Sequence, residues 1–431
     1  MTYSAAIAYL YRLQQHGIKL GLETMCALLG RIGHPERQVR VLHIGGTNGK
    51  GSTAAMTAAM LQAAGLRVGL YTSPHLVEFR ERIRVNGEMI AEERVADLTA
   101  RLCGATQPDL EPTFFEITTA MALLHFAEAR VDVAVLEVGL GGRFDATNVV
   151  EPIACAITTI ALEHQEYLGR TEEAIAFEKA GIIKPAVPVV IGRMGPAASG
   201  VMRRIARERA APLWQLGQDF SAEGEGPERF TYRGVSHALE GLRCHLSGRH
   251  QLDNAACALA LLEAAAQAGV TVDEGACRQG LQSVRWEGRL ELIEAYPMVL
   301  LDGAHNPAAA GALAGYLREF LARHPDSRIL LVLGMMRDKD HRGFVAPLHA
   351  LVSEVVLTQA GLARSATVQE LRGSLAGWRQ PIFENPLPAE ALRHAKARAT
   401  ARDLICVTGS LMLLGDVKAA MRGCGLSPLR G

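Results

Sequence analysis

The sequence predicts an α/β protein made of a P-loop-containing domain followed by a second doubly wound domain. Three observations carry that expectation. Residues 39–53, VRVLHIGGTNGKGST, run from an apolar β-rich stretch (Val39, Val41, Leu42, Ile44) through a glycine-rich turn into a small-residue helix expected over Thr53 to Ala64. Val131 to Val138 (VDVAVLEV) is almost wholly β-branched or apolar, as a strand covered on both faces of a parallel sheet must be. Beyond residue 285, strands at Val299 to Leu301, Ile329 to Leu333, Glu354 to Leu357 and Leu404 to Val407 alternate with helices. The division falls at residue 288, giving domains 1–288 and 289–431, with a small β appendage at about 213–247.

The order strand, loop, helix is what a phosphate cradle requires. Gly45, Gly46, Gly49 and Gly51 let the backbone approach an anion, and the helix start offers unpaired N–H groups. Lys50 supplies a positive charge for the β- and γ-phosphates, and a nearby hydroxyl can reach Mg²⁺. The pattern G-x-x-x-x-G-K-[ST] is matched imperfectly: Ile44 stands at the first glycine position and Gly51 separates Lys50 from Ser52. A plain glycine-rich turn is the weaker reading, because four glycines, a lysine and two hydroxyls converge on one helix start.

The first 30 residues carry Ala, Leu and Tyr at helical spacing and predict one or two helices. A second strand is expected over Leu66 to Thr72, ending at TSPHL. In FRERIRVNGEMI (79–90) the residues alternate, Asn86-Gly87 marks a hairpin turn, and Arg80, Arg82 and Arg84 share one face at period two. A solvated face and an anionic-ligand site are equally open for those arginines. Helices are expected over Ala91 to Leu102 and Phe115 to Ala129. Glu137, at the carboxyl end of the buried strand, is placed where open α/β sheets hold ligands, and GLGGRFDATN follows it. His164 lies past the end of the next strand, Ile153 to Ile160. In the helix Thr171 to Ile183, Lys179 falls in the apolar stripe, either snorkelling to the rim or held inward for chemistry. Lys184 reads as an ordinary exposed residue. A strand at Pro188 to Ile191 precedes the appendage, and residues 248–269 predict a strongly amphipathic helix. In the second domain the first strand ends in DGAHNP and the last in TGS, both polar strand-end loops.

Composition narrows the classes. The chain of 431 residues is 49% hydrophobic, and its 45 basic and 45 acidic residues give a formal net charge of +0, which argues against a nucleic-acid or membrane surface. Forty-three glycines with 5% aromatics suit tight strand–helix turns. Eight scattered cysteines without a CxxC pair read as reduced thiols in a cytoplasmic protein. The opening MTYSAAIAYLYRLQQ has no basic region followed by an apolar core, so no signal peptide is expected, and no apolar run approaches a membrane span.

Taken together, GTNGKGS (46–52), YTSPHL (71–76), ERIRVNG (81–87), LEVGLGGRFDATN (136–148), EKAGIIK (178–184), GRLE (288–291), LDGAHNP (301–307) and TGS (408–410) resemble the folate branch of the Mur ligase family, the folylpolyglutamate and dihydrofolate synthases. The motifs run in order over nearly the whole chain. GTNGK alone resembles any Mur-type ligase, whereas SPHL, ERIRVNG and DGAHNP point to the folate branch.

The resemblance implies a Mur-ligase-type ATPase domain and a Rossmann-like C-terminal domain, with ATP bound in the cleft between them. It implies that Gly46, Thr47, Asn48, Gly49, Lys50, Gly51, Ser52, Asn254, Arg289 and Asp302 contact ATP, and that Ser73, Glu137 and His164 hold Mg²⁺. Lys179 matches a carbamylated lysine that helps hold a second Mg²⁺. His305 and Ser410 lie near the incoming glutamate, and Arg82, Phe115 and Glu116 resemble the pterin pocket. Catalysis would rest on Lys50, Lys179, His164 and His305. The implied activity is ATP-dependent ligation of L-glutamate to folate, and also to dihydropteroate, by a monomer acting on small molecules. A monofunctional folylpolyglutamate synthase, another Mur-type ligase and a non-catalytic nucleotide-binding switch are the alternatives.

Overall fold

The structure is a computed structural model and describes residues 1–14, 17, 19, 21–106 and 109–425. The chain forms two compact units. The first comprises residues 1–75, 79–245 and 251–285, and the second residues 76–78, 246–250 and 286–431.

The first unit contains strands β1 (Val41–Gly45), β2 (Val68–Tyr71), β3 (Ile83–Val85), β4 (Glu88–Met89), β5 (Val133–Glu137), β6 (Ala154–Ile157), β7 (Val189–Ile191) and β8 (Leu213–Gln215) in one sheet. Their order is β4-β3-β2-β5-β1-β6-β7-β8, parallel apart from β3 and β4. A separate antiparallel sheet joins β9 (Ser221–Gly226), β10 (Arg229–Arg233) and β11 (Ala238–Leu242). Every residue of β1, β2, β5, β6 and β7 is buried. Each fully buried Val, Leu or Ile there contributes about 1.5–3 kcal/mol relative to exposure.

Strand β1 lies between β5 and β6, and the pairing register sets the site. Ile44 pairs with Glu137 and Gly45 with Ile157, while Tyr71 of β2 pairs with Leu136. The residues that leave β1, β2, β5 and β6 therefore emerge at one level, at the carboxyl edge where the chain leaves β1 in one direction and β6 in the other. That is a topological switch point.

Several local expectations are corrected. The helix after β1 spans Lys50–Ala63, so it starts three residues early and places Lys50, Gly51 and Ser52 in its first turn. Gly49 makes this possible by standing at φ 89 as the residue before the helix. The arginines do not share a strand face: Phe79–Arg82 is a 3-10 turn, and only Ile83–Val85 is extended before the Asn86-Gly87 turn. The helix carrying Lys179 ends there, at Glu172–Lys179, and continues as the 3-10 turn Ala180–Ile182. Lys184 is half-buried and donates to the Asn148 carbonyl (2.9 Å). The expected amphipathic helix, His250–Ala266, is buried around most of its circumference through Gln251, Leu252, Asn254 to Leu262, Ala264 and Ala265, because it is a core helix. Strand β8, Leu213–Gln215, falls within the expected appendage but belongs to the main sheet, where it pairs with β7.

The second unit holds β12 (Glu291–Ala295), β13 (Met298–Asp302), β14 (Ile329–Leu333), β15 (Glu354–Leu357), β16 (Ile382–Glu384) and β17 (Leu404–Thr408). The order is β12-β13-β17-β14-β15-β16, with β12 alone antiparallel. The half-exposed edge strands β12 and β16 were not anticipated, because their short sequences lack a clean apolar run. Helix Pro307–Arg323 packs on one face through Ala310, Leu313 and Leu317. Helix Leu411–Arg422 packs on the other through Leu413, Leu414 and Val417. Adjacent parallel strands β13 and β17 thus send the chain to opposite faces, which opens a second crevice at their carboxyl ends. Among the described residues, no helix is long and apolar enough to cross a membrane.

Candidate active site

The loop leaving β1 is held by the segment that leaves β6. Thr47 N–H donates to the Thr159 carbonyl (2.7 Å) and Asn48 N–H to Thr159 Oγ1 (3.0 Å). Thr158 Oγ1 donates to the Asn48 carbonyl (2.6 Å), and Thr47 Oγ1 accepts from Ala161 N–H (3.1 Å). Sequence reading missed Thr158 and Thr159, although paired hydroxyls at the end of a buried strand were a signal available beforehand. The glycines are needed at two close approaches. A Cβ on Gly46 would lie 2.1 Å from Thr158 Oγ1, and one on Gly49 2.3 Å from Asn254 Oδ1. Asn254 is buried and fixed by donation to Gln251 Oε1 (2.8 Å), so this predicted nucleotide contact does stand against the loop. Ser52 is buried in the first helical turn.

Two lysines converge on one carbonyl. Lys50 Nζ donates to the Gly46 and Thr47 carbonyls (3.0 and 3.1 Å), and Lys179 Nζ donates to the same Gly46 oxygen (2.9 Å). Lys179 is held inward, not at the rim: it is 4% exposed. Burial, and then the charge of Lys50, push its pKa down to about 7 against the opposing pull of Glu163 and Asp145. Glu137, buried at the end of β5, accepts from Ser73 N–H through Oε2 (3.1 Å). Two of the predicted metal ligands are thereby adjacent. His164 sits at φ 49 at the start of the short helix Gln165–Leu168, with Nε2 3.5 Å from Glu163 Oε1. Among the described residues, no three His, Cys, Asp or Glu side chains group as metal ligands. The expected set contains only two of those types, completed by a hydroxyl and a modified lysine.

Asp145 was also missed. Its buried carboxylate accepts from Leu140 N–H (2.8 Å), Thr147 N–H (3.0 Å) and Thr147 Oγ1 (2.5 Å), and so folds the glycine loop after Glu137. Since Thr147 gives its proton to Asp145, it accepts from His43 Nε2–H (2.8 Å), and burial followed by the Lys184 charge pushes His43 down to about 3.

Arg82 is buried, which removes the solvated-face reading for this residue. Its Nε donates to His75 Nδ1 (2.8 Å), and its guanidinium lies 5.2 Å from the Phe114 ring centroid. Burial lowers its pKa. Phe115 stacks near Tyr71 (6.0 Å between centroids) and covers Gly139, where a Cβ would come 2.4 Å from its Cζ. Glu116 forms a capping box with Thr113: Oε2 accepts from Thr113 N–H (2.7 Å) while Glu116 N–H donates to Thr113 Oγ1 (3.2 Å).

In the second unit, Asp302 at the end of β13 accepts from Leu290 N–H (3.0 Å) and Ala304 N–H (3.1 Å). His305 Nδ1–H donates to the Gly303 carbonyl (2.8 Å), so in the neutral ring Nε2 carries the lone pair. Ser410 Oγ accepts from Leu413 N–H (3.1 Å) and caps the last helix. Arg289 lies over Gly303, where a Cβ would be 2.4 Å from its Nη1. A concavity of about 710 Å³ on the three-stranded sheet is lined by Glu223, Glu225, Glu228 and Glu240 against the single cation Arg229, a net negative lining that does not favour an anionic nucleotide.

Residues 44–262 match the Mur ligase middle domain and residues 288–411 the Mur ligase glutamate ligase domain. The dihydrofolate synthase/folylpolyglutamate synthase of Bacillus subtilis is 35% identical over 97% of this chain and 99% of its own length. The chain belongs to the folate branch of the Mur ligase family. Solved structures of the branch share its fold. E. coli FolC in complex with DHPP and ADP superposes with a TM-score of 0.90 at 34% identity, covering 98% of each chain. A bifunctional folylpolyglutamate synthase/dihydrofolate synthase with Mn, AMPPNP and L-glutamate bound gives 0.87 at 33% identity, again over 98% of each chain. The Mur-ligase architecture expected from the motifs is the architecture observed.

Proposed function

We propose that the chain, an ATP-dependent ligase that adds L-glutamate to folate, works through an acyl phosphate and accepts dihydropteroate as well as reduced folates. The observation that carries the reading of the nucleotide site is the end of β1. There the cradle at Gly46 and Gly49, two converging lysines and a helix start stand beside the buried carboxylate Glu137.

A carboxylate is a poor acyl donor because oxide would have to leave. Attack of its oxygen on the γ-phosphorus of ATP breaks the bond to the β-phosphate oxygen, releases ADP and makes phosphate the leaving group. The neutral amine of glutamate then attacks the acyl carbon, phosphate departs, and the amide remains. The loop N–H groups and Lys50, released from the Gly46 and Thr47 carbonyls, hold the phosphates. The protein contributes chiefly position and charge neutralisation. Arg82 and Phe115 form part of the surface for the acidic pterin substrate, with Glu116 squaring the helix start behind it. His305, whose basic nitrogen is Nε2, takes the proton of the glutamate amine, and Ser410 orders the neighbouring helix terminus. Asn254, Arg289 and Asp302 complete the ATP contacts.

Oxygen donors and one imidazole suit a hard divalent cation. The buried carboxylate of Glu137 beside Ser73, with His164 and Lys179, fits Mg²⁺, which when bound would neutralise phosphate charge. Lys179 would join that set as a carbamate. Burial favours its neutral amine, whose nitrogen bonds the carbon of CO₂ with loss of one proton, giving an anionic oxygen donor. The enzyme acts as a cytoplasmic monomer on small molecules.

The test is ADP release from ATP, Mg²⁺ and L-glutamate with dihydropteroate or tetrahydrofolate as acceptor. Turnover with both supports the reading. Turnover with tetrahydrofolate alone identifies a monofunctional folylpolyglutamate synthase, and none with either overturns the assignment.

A further inference from the structure

The terminal helix Leu411–Arg422 carries a buried cation that the chemistry above does not use. Lys418 is 5% exposed, and its Nζ lies 2.8 Å from Glu287 Oε2 and 2.7 and 2.8 Å from the two oxygens of Glu291. Arg422 Nη2 grips Glu287 from the other side at 2.9 and 3.0 Å. Glu291 Oε2 also accepts from Gly288 N–H (2.7 Å). The strand end closes the ring, since Gly303 N–H donates to the Gly288 carbonyl (2.8 Å) and Asp302 accepts from Leu290 N–H. Glu287, Gly288, Leu290 and Glu291 are each held, and Arg289 stands between them.

The turn is one that the chain does not adopt unaided. Gly288 has φ 72 and Leu290 φ 46, and a leucine in the left-handed region persists only where its surroundings over-determine it. A buried ammonium is itself costly unless fully paired, and an apolar residue at 418 would fill the helix position without that cost. Pairing with two glutamates on one turn does something an apolar residue does not: it fixes the backbone on both sides of Arg289, with the guanidinium over Gly303.

We propose that Lys418 is a positioning residue for ATP, clamping residues 287–291 so that Arg289 is presented in the geometry the nucleotide requires. The proposal rests on the reading of Arg289 as an ATP contact, and a double-mutant cycle separates the two. Arg289→Ala should raise KM for ATP about tenfold, and Lys418→Met should raise it several-fold with kcat within about twofold and KM for glutamate unchanged. The double variant should be no worse than Arg289→Ala alone, and Lys418→Arg should recover most of the loss. If Arg289→Ala leaves KM for ATP unchanged, the reading of Arg289 falls and the proposal with it. If Arg289→Ala raises it and Lys418→Met does not, or the two effects multiply, the proposal alone falls. Should Lys418→Met fail to fold, Glu287→Gln probes the same clamp from a side chain 44% exposed, and an unchanged KM for ATP in that folded variant overturns it.

Discussion

The carboxyl ends of β1 and β13 stand at equivalent places in two parallel sheets, yet they satisfy their polar groups in opposite ways. At β1, neighbouring threonines hold the loop by its backbone, and two lysines share one carbonyl oxygen, Gly46 O. At β13, the side chains themselves do the holding. Asp302 takes two backbone N–H groups, His305 is bonded to Gly303, and Ser410 caps a helix. The first end concentrates positive charge that an incoming polyanion can claim. The second is a set of finished turns that presents groups at fixed angles. One end is built on charge and the other on shape.

That contrast ranks the expected effects. Lys50→Ala removes charge where charge is the device, and should lower kcat on the order of 10²-fold or more. ADP release measures it, and near-normal turnover would take the phosphates away from this loop.

Lys179→Ala should fold yet lose most ligase activity, with acetate or formate restoring part of it. The pH dependence sharpens the point. An unmodified Lys179 titrates at about 7 when folded and at about 10 when unfolded, so between those values the unfolded chain binds more protons. Its contribution is therefore intact above pH ~10, falls by up to about 1.4 kcal/mol per pH unit as pH drops toward 7, and is constant below. The carbamate lacks that slope. Denaturant midpoints from pH 7 to 10, with bicarbonate and after its removal, should differ in steepness, and identical curves would count against the modification.

At β13 the effects should be smaller and structural. Asp302→Asn replaces one accepting oxygen with a donor facing an N–H, costing about 1–3 kcal/mol of stability and weakening ATP several-fold. Thermal unfolding and KM for ATP read the two parts. Ser410→Ala should cost about 1 kcal/mol through the lost cap, and Ser410→Asn should restore it. If KM for glutamate rises in the Asn variant while stability returns, Ser410 touches substrate as well as capping the helix.

How far the site was legible follows from which signals are local. The phosphate loop, the buried strand ending in Glu137 and the hairpin turn at Asn86-Gly87 were readable because glycine spacing and strand period act over a few residues. Lys179 stood out because a lysine in an apolar stripe conflicts with its surroundings, but the stripe left rim and interior both open, and only the fold places it inward. Thr158, Thr159 and Asp145 were not singled out, since a threonine or aspartate near a strand end is ordinary until its partner is known. Arg82 was misplaced on a strand face because alternation also arises by chance in a 3-10 turn followed by three extended residues.

The sequence by itself determined the buried strands, the alternation of strand and helix and the family, because strand period and glycine-dependent turns are encoded within short windows. Only the tertiary structure decided which charges are buried and what they face. The contact of Lys179 with Gly46 spans 133 residues, and that of Lys418 with Glu291 spans 127. Desolvation depends on neighbours drawn from the whole chain, so no local pattern could specify it. A lysine that is unremarkable in its own window becomes, once the sheets close, a buried charge whose partners lie far along the chain.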